Sequence, residues 1–130
     1  MLFRSFYRRH PSVATGKHGW IASSGAKGLR ELKLKLTKGE ARRYTVRLYF
    51  AEPDDIQVGQ RIFDVELQGR RVEGNLDILK EAGSPWRTLV KEFKDVEVRG
   101  ELLLRLTPAR NATVRTTILC GLEVVAEDKK

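Results

Sequence analysis

Few residues in this chain combine a reactive type with a spacing that would let them act together. Asp54 and Asp55 follow Pro53 in a polar stretch, where two carboxylates can serve as acid and base or as oxygen ligands for a hard cation. Adjacent residues of an extended chain point apart, which suits neither a catalytic dyad nor a tight cage, and Pro-Asp-Asp is also ordinary turn chemistry. Ser23-Ser24-Gly25 offers hydroxyls, but the chain has no Gly-x-Ser-x-Gly elbow, and neither His10 nor His18 has an assignable partner. The two histidines flank Pro11 at a separation with no metal-ligand logic. The single cysteine, Cys120, sits in an apolar run and reads as a small core residue; one cysteine excludes an internal disulfide framework and a cysteine-rich zinc site. No Gly-x-x-x-x-Gly-Lys phosphate loop occurs. The expectation is a protein that is not an enzyme and needs no cofactor and no metal.

Binding chemistry is better represented. Trp20, between His18-Gly19 and Ala22-Ser23-Ser24-Gly25, and Trp86, in Gly83-Ser84-Pro85-Trp86-Arg87, both fall in loop-like settings. An indole on a loop presents a flat apolar face to the C–H patch of a sugar ring while neighbouring polar groups take the hydroxyls. The competing reading is that each indole plugs an end of the fold. Lys33, Lys35 and Arg47 occupy outward positions of two successive strand patterns, with Tyr49 beside Arg47. If those strands pair, they form a cationic strip with one aromatic platform. A nucleic-acid binder would show more aromatics among its basic residues and a recognisable RNA-binding signature; nucleic acid is not the expected partner.

The elements that would position these residues are strands. Leu32, Leu34 and Leu36 alternate with Lys33 and Lys35; Tyr44, Val46, Leu48 and Phe50 alternate with Thr45, Arg47 and Tyr49. A period of two means one face in and one face out. Phe63, Val65 and Leu67 repeat the pattern, and Gly69 opens a hairpin into Arg71-Val72. Leu76, Ile78 and Leu79 fit a short strand or one helical turn, ended by Gly83-Ser84-Pro85. Val90, Phe93, Val96 and Val98 fit a bulged strand, and Leu102, Leu104 and Leu106 another that stops at Pro108. The last strand, about Thr117 to Val125, is apolar on both sides and predicts a central position. Pro53 to about Gly59 and Ala109 to Arg115 are loops. Seven or eight strands about ten residues apart predict an all-β fold, an antiparallel β-sandwich.

At 130 residues the chain has room for one domain. It divides into an irregular basic opening segment (1–28), core strands (29–125) and a charged tail (126–130). With 41% hydrophobic and 32% charged residues, it is globular in composition rather than disordered. No apolar run approaches the ~20 residues that cross a bilayer as a helix, and Arg4, Arg8 and Arg9 break any secretory-type apolar stretch. The net charge of +8 is uneven: Met1 to Phe50 carries twelve Lys/Arg against two acids, and the remainder thirteen against fifteen. That keeps an acidic partner in view; an acid-free, arginine-bearing start also has the look of an organellar transit peptide. Localisation is otherwise not indicated.

Several ordered segments resemble the malectin domain: Tyr44-Thr45-Val46-Arg47-Leu48-Tyr49-Phe50-Ala51-Glu52, then Gly59-Gln60-Arg61-Ile62-Phe63-Asp64-Val65, Asp77-Ile78, Glu81-Ala82-Gly83 and Leu119-Cys120-Gly121-Leu122-Glu123-Val124. The resemblance implies a jelly roll of the galactose-binding-domain-like type and carbohydrate binding without catalysis, as one module of a larger protein. Sugar-binding members carry an aromatic pair shortly after Phe-Ala-Glu; counting without gaps, Asp54 and Asp55 stand there. Carboxylates accept hydrogen bonds from hydroxyls but do not stack. Further family aromatics come from the N-terminal region, where Trp20 is the candidate. The sequence-level expectation is therefore a carbohydrate-binding module with a loop-end site drawn from Trp20, Asp54, Asp55 and Trp86. The alternatives are a sandwich that docks on other domains of a larger parent protein, and a polyanion binder through the basic N-terminal region.

Overall fold

The computed structural model describes residues 5–8 and 24–128. Within them lie strands β1 (Ser5–Arg8), β2 (Ser24–Lys27), β3 (Glu31–Lys35), β4 (Ala41–Phe50), β5 (Phe63–Leu67) and β6 (Arg70–Leu76), helix α1 (Ile78–Ala82), and strands β7 (Leu89–Arg99), β8 (Glu101–Pro108), β9 (Ile118–Leu119) and β10 (Gly121–Ala126). All their pairings are antiparallel. The sheets run β10-β4-β7, β3-β8-β5-β6 and β1-β2-β9. This is the antiparallel sandwich that the alternation predicts.

The core lies between the first two sheets. Inward positions of β4 (Val46, Leu48, Phe50), β5 (Phe63, Val65, Leu67) and β8 (Leu102, Leu104, Leu106) are all buried and belong to one cluster. Phe50 and Phe63 meet at 5.9 Å between ring centroids, tilted by 57°. Burying each such side chain contributes about 1.5–3 kcal/mol, so these period-two positions fix the register of both sheets.

Three sequence expectations are corrected. Strands β3 and β4 do not pair: β3 joins β8 and β4 joins β7 and β10. The apolar row of β4 is buried in the core, while Leu32 and Leu36 beside β3 pack only partly against it from the opposite layer and Leu34 is exposed. Lys33 and Lys35 therefore share no face with Arg47, and the cationic strip does not form. Arg47 instead lies between Glu92 (2.7 Å) and Glu123 (2.8 Å), and Tyr49 is buried with its hydroxyl donating to Glu123 at 3.2 Å. The final strand divides at Cys120, whose N–H donates to Tyr49 C=O. β9 before it pairs with β2, and β10 after it is an edge strand with Val125 exposed. Its second apolar row has no sheet neighbour to require it. Lastly, residues 1–28, read as irregular, carry the β1–β2 pair; Ser-Gly-Ala-Lys of β2 has no alternation to announce it.

The bulge expected in the Val90–Val98 region is present. Tyr44 faces Val96 while Val46 faces Phe93, leaving an extra residue in β7, and Asp95 takes φ +57°. The Glu127 carboxylate pins it, accepting from Asp95 N–H (2.7 Å) and the Thr45 hydroxyl (3.0 Å).

Candidate functional site

Long connections gather at one end of the sandwich: 51–62 between β4 and β5, 77–88 around α1, and 109–117 between β8 and β9. Their backbone polar groups have no ladder to join and must be satisfied by side chains or by one another. Arg61 joins two of these connections. It is 3% exposed and donates to Glu52 through Nη1, to Asp54 Oδ2 (2.9 Å) and Thr116 Oγ1 (3.2 Å) through Nη2, and to Thr116 C=O (2.9 Å) through Nε. Glu52 is 1% exposed, and its Oε2 also accepts from Asp54 N–H at 3.0 Å. Lys27, from β2, donates to Asp54 Oδ1 at 2.7 Å. Two acids and two bases thus form a neutral cluster that ties β2, loop 51–62 and loop 109–117 together.

Other bonds complete the frame. Gln60 C=O accepts from Val114 N–H (3.0 Å) and Ile62 C=O from Ala109 N–H (2.9 Å). Asp77 caps α1 by accepting Lys80 N–H (3.1 Å) through Oδ1, while its Oδ2 takes Gly59 N–H (2.7 Å). Gly83 closes the helix at φ +90°, a conformation that favours glycine, with its N–H on Leu79 C=O. Trp86 N–H donates to Glu52 C=O at 2.9 Å, drawing the tryptophan loop onto loop 51–62. Trp86 holds φ +62°, uncommon for a bulky residue and sustained where surrounding structure imposes it.

The carboxylates sit in unequal fields. Burial pushes the Asp54 carboxyl up, but the hydrogen bonds and charges of Lys27 and Arg61 outweigh it and hold Asp54 below its ordinary range. For Glu52 desolvation is the larger effect and exceeds the pull of Arg61, so its carboxyl is raised. Glu52 Oε1 is buried and has no hydrogen-bond partner among the described residues.

Of the residues singled out in the sequence, Asp54 is half-buried with both oxygens engaged by cations, Asp55 is exposed beside it, and Trp86 is half-buried on the adjoining loop. These three gather at one end of the sandwich. Trp20, His10 and His18 lie outside the described residues. Sequence reasoning did not single out Lys27, Glu52, Arg61 or Asp77 as site residues. Glu52 and Asp77 carry a signal, a charged group directly beside buried apolar positions (Phe50 and Ala51, Leu76 and Ile78); Lys27, between the small residues Ala26 and Gly28, and Arg61, after Gly59-Gln60, carry none. Among the described residues no cluster of His, Cys, Asp and Glu has metal-holding geometry, and no helix is long and apolar enough to cross a membrane.

Known proteins share this fold. A structure of the plant receptor-like kinase ANX2 superposes with a TM-score of 0.80 at 16% identity, over 98% of this chain and 40% of that one. The extracellular domain of ANXUR2 from Arabidopsis thaliana gives 0.79 at 15% identity, over 98% and 41%. A Bacteroides uniformis beta-glucuronidase gives 0.73 at 15% identity, over 88% of this chain and 13% of that one. The chain thus spans about two-fifths of the ANX2 and ANXUR2 chains it matches. No curated protein matches the sequence. The malectin domain profile matches residues 28–125, from the start of the β2–β3 connection to β10, and by that match the chain belongs to the malectin domain family.

Proposed function

We propose that this chain is a non-catalytic carbohydrate-binding module whose ligand meets the loop end of the sandwich, at Asp54, Asp55 and Trp86, with Trp20 contributed by the N-terminal region. Family membership supports a binding-domain role. The observation that carries the reading is the bond from Trp86 N–H to Glu52 C=O. It sets an indole in a left-handed backbone beside the loop that bears the two aspartates, an aromatic face next to hydroxyl acceptors. Asp55 is the acceptor with greater freedom, since Asp54 already serves Lys27 and Arg61.

A glycan array on the purified chain, followed by tryptophan fluorescence titration with the best oligosaccharide, tests this. Binding is expected to shift the emission, to change little with salt, and to weaken about tenfold in Trp86→Ala, a loss typical of one stacking anchor. An array with no glycan bound, or a titration that Trp86→Ala and Asp55→Ala both leave unchanged, would overturn the reading.

A second reading, a docking domain of a larger protein, is favoured by a different observation: the family's aromatic pair is replaced by Asp54 and Asp55, and Asp54 is spent on internal cations. One structure with the same fold is described as plant peptide RALF23 in complex with FER and LLG2, at 18% identity and a TM-score of 0.73. Under this reading the loop end contacts protein and the array is blank.

A further inference from the structure

The flank of the sandwich where the edge strands β6 and β7 face each other is open over part of its length. Two side chains bridge it. Lys91 reaches Glu73 (3.3 Å) and Glu81 (2.6 Å) toward one end, and Gln68 donates to Glu97 C=O (3.3 Å) and Glu101 C=O (3.1 Å) at the other. Between them lies a hollow of about 780 Å³. Four apolar residues are among those that line it: Leu67 and Val96 are buried, and Val72 and Phe93 are half-buried. The stretch of β7 between the bridges, residues 91–97, spans about 20 Å at ~3.3 Å per residue, enough for an extended segment of five or six residues.

Charge on the two walls differs. On the β6 wall stand Arg70 and Arg71, both exposed; Arg71 keeps 67% of its side chain in solvent, with Asp64 at 3.8 Å. Arg43 and Lys94 add cations from the β7 side. Three acids also line the hollow, Glu92, Asp95 and Glu97; Glu92 is held by Arg47 at 2.7 Å from outside it and lies 3.7 Å from Lys94. Four cations thus face three acids around the hollow, and the charged residues lining its β6 wall are Arg70 and Arg71. A sugar would find hydroxyl acceptors mainly on the β7 side, whereas a strand with apolar and acidic side chains alternating finds apolar residues for one row and guanidinium groups for the other.

We propose that the trough between β6 and β7 is a docking site for an extended acidic peptide, apolar residues seated on Val72 and Phe93 and carboxylates on Arg70 and Arg71. The site is separate from the loop end and does not depend on sugar binding there.

The test is fluorescence anisotropy on the full chain with labelled nonapeptides alternating Glu with Val or Phe. Controls are a peptide of the same composition with its charges grouped at one end, and the Lys-for-Glu version. The alternating acidic peptide should bind, weaken with added salt, and lose about tenfold or more in affinity in Arg70→Glu/Arg71→Glu, two exposed changes that leave the core intact. The charge-matched variant Lys38→Glu/Arg110→Glu, also exposed, should bind as the parent does. Equal losses in both variants, or equal binding of the grouped peptide, would reassign the interaction to the general basicity of the chain and overturn the proposal. So would no binding at millimolar peptide, or preference for the lysine version. A sulfated oligosaccharide that binds more tightly than the peptide and is equally sensitive to Arg70→Glu/Arg71→Glu would make the trough an anionic-glycan site instead.

Discussion

The two ends of the sandwich solve the same backbone problem with different chemistry. At one end the β3–β4, β5–β6 and β7–β8 turns are short, and neutral groups secure them. The Thr37 hydroxyl accepts from Gly39 N–H (3.2 Å) and Gly100 N–H (2.7 Å) and donates to Glu40 C=O (2.8 Å). Gln68 accepts from Leu103 N–H at 2.6 Å and spans the next turn. At the other end the connections are long, and charged groups secure them through Arg61, Glu52, Asp54 and Lys27. A neutral bond that loses one member leaves a polar group unpaired, whereas a buried ion that loses its counterion leaves a whole charge unpaired and costs more.

The sharpest way to break that contrast is Arg61→Ala. It leaves Glu52 buried with no cation beside it and releases two loops from each other; breaking a buried pair in this way costs about 3–5 kcal/mol. Urea unfolding should show a loss of that size. The double change Glu52→Leu/Arg61→Met, which removes both charges and keeps volume, should recover most of it. A loss below about 1 kcal/mol for Arg61→Ala would mean that water already solvates the cluster, and the two ends would then be alike.

Thr37→Val at the opposite end should cost less. The hydroxyl is lost from three hydrogen bonds, and Gly100 N–H loses its acceptor, for a penalty of about 1–3 kcal/mol by the same unfolding assay. A Thr37→Val loss as large as that of Arg61→Ala would show that bond count, not charge burial, ranks the two ends.

The same contrast explains what the sequence discloses. Strands β4, β5 and β8 are legible because burial on one face demands alternation, as in Phe63-Asp64-Val65-Glu66-Leu67, and the short turns follow from Gly39, Gly69 and Gly100, which take positive φ. What the alternation cannot report is which strand lies beside which. Leu32-Lys33-Leu34 of β3 and Tyr44–Phe50 of β4 would read the same whether paired or placed in opposite layers. Nor can it report where a strand changes sheet: Ile118–Ala126 is one apolar run in sequence and two strands in space, divided at Cys120. β2 is silent because Ser-Gly-Ala-Lys has too little side chain to pattern. At the loop end, Asp54, Asp55 and Trp86 are visible by residue type. Arg61 is not, since an arginine among polar residues reads as surface until its neighbours close over it.

The finest test separates two carboxylates that share Arg61. Asp54 is held below its ordinary range by Lys27 and Arg61, so the stability it contributes is present above its unfolded value and is lost as pH falls through the lower folded one. Glu52 is raised by burial, so folding favours its protonated form, and its contribution grows as pH falls through its higher folded value. Urea midpoints measured from neutral pH into the acid range should therefore move in opposite senses in the two variants. Asp54→Asn should flatten the acid decline of the parent, and Glu52→Gln should steepen it, because the gain from protonating Glu52 is gone. Both effects should be smaller than the loss in Arg61→Ala, Asp54 being partly exposed and its ion pairs correspondingly screened. If both variants flatten the curve, the two acids titrate as one paired unit, and the loop end is held by a single shared charge rather than by two carboxylates in different environments.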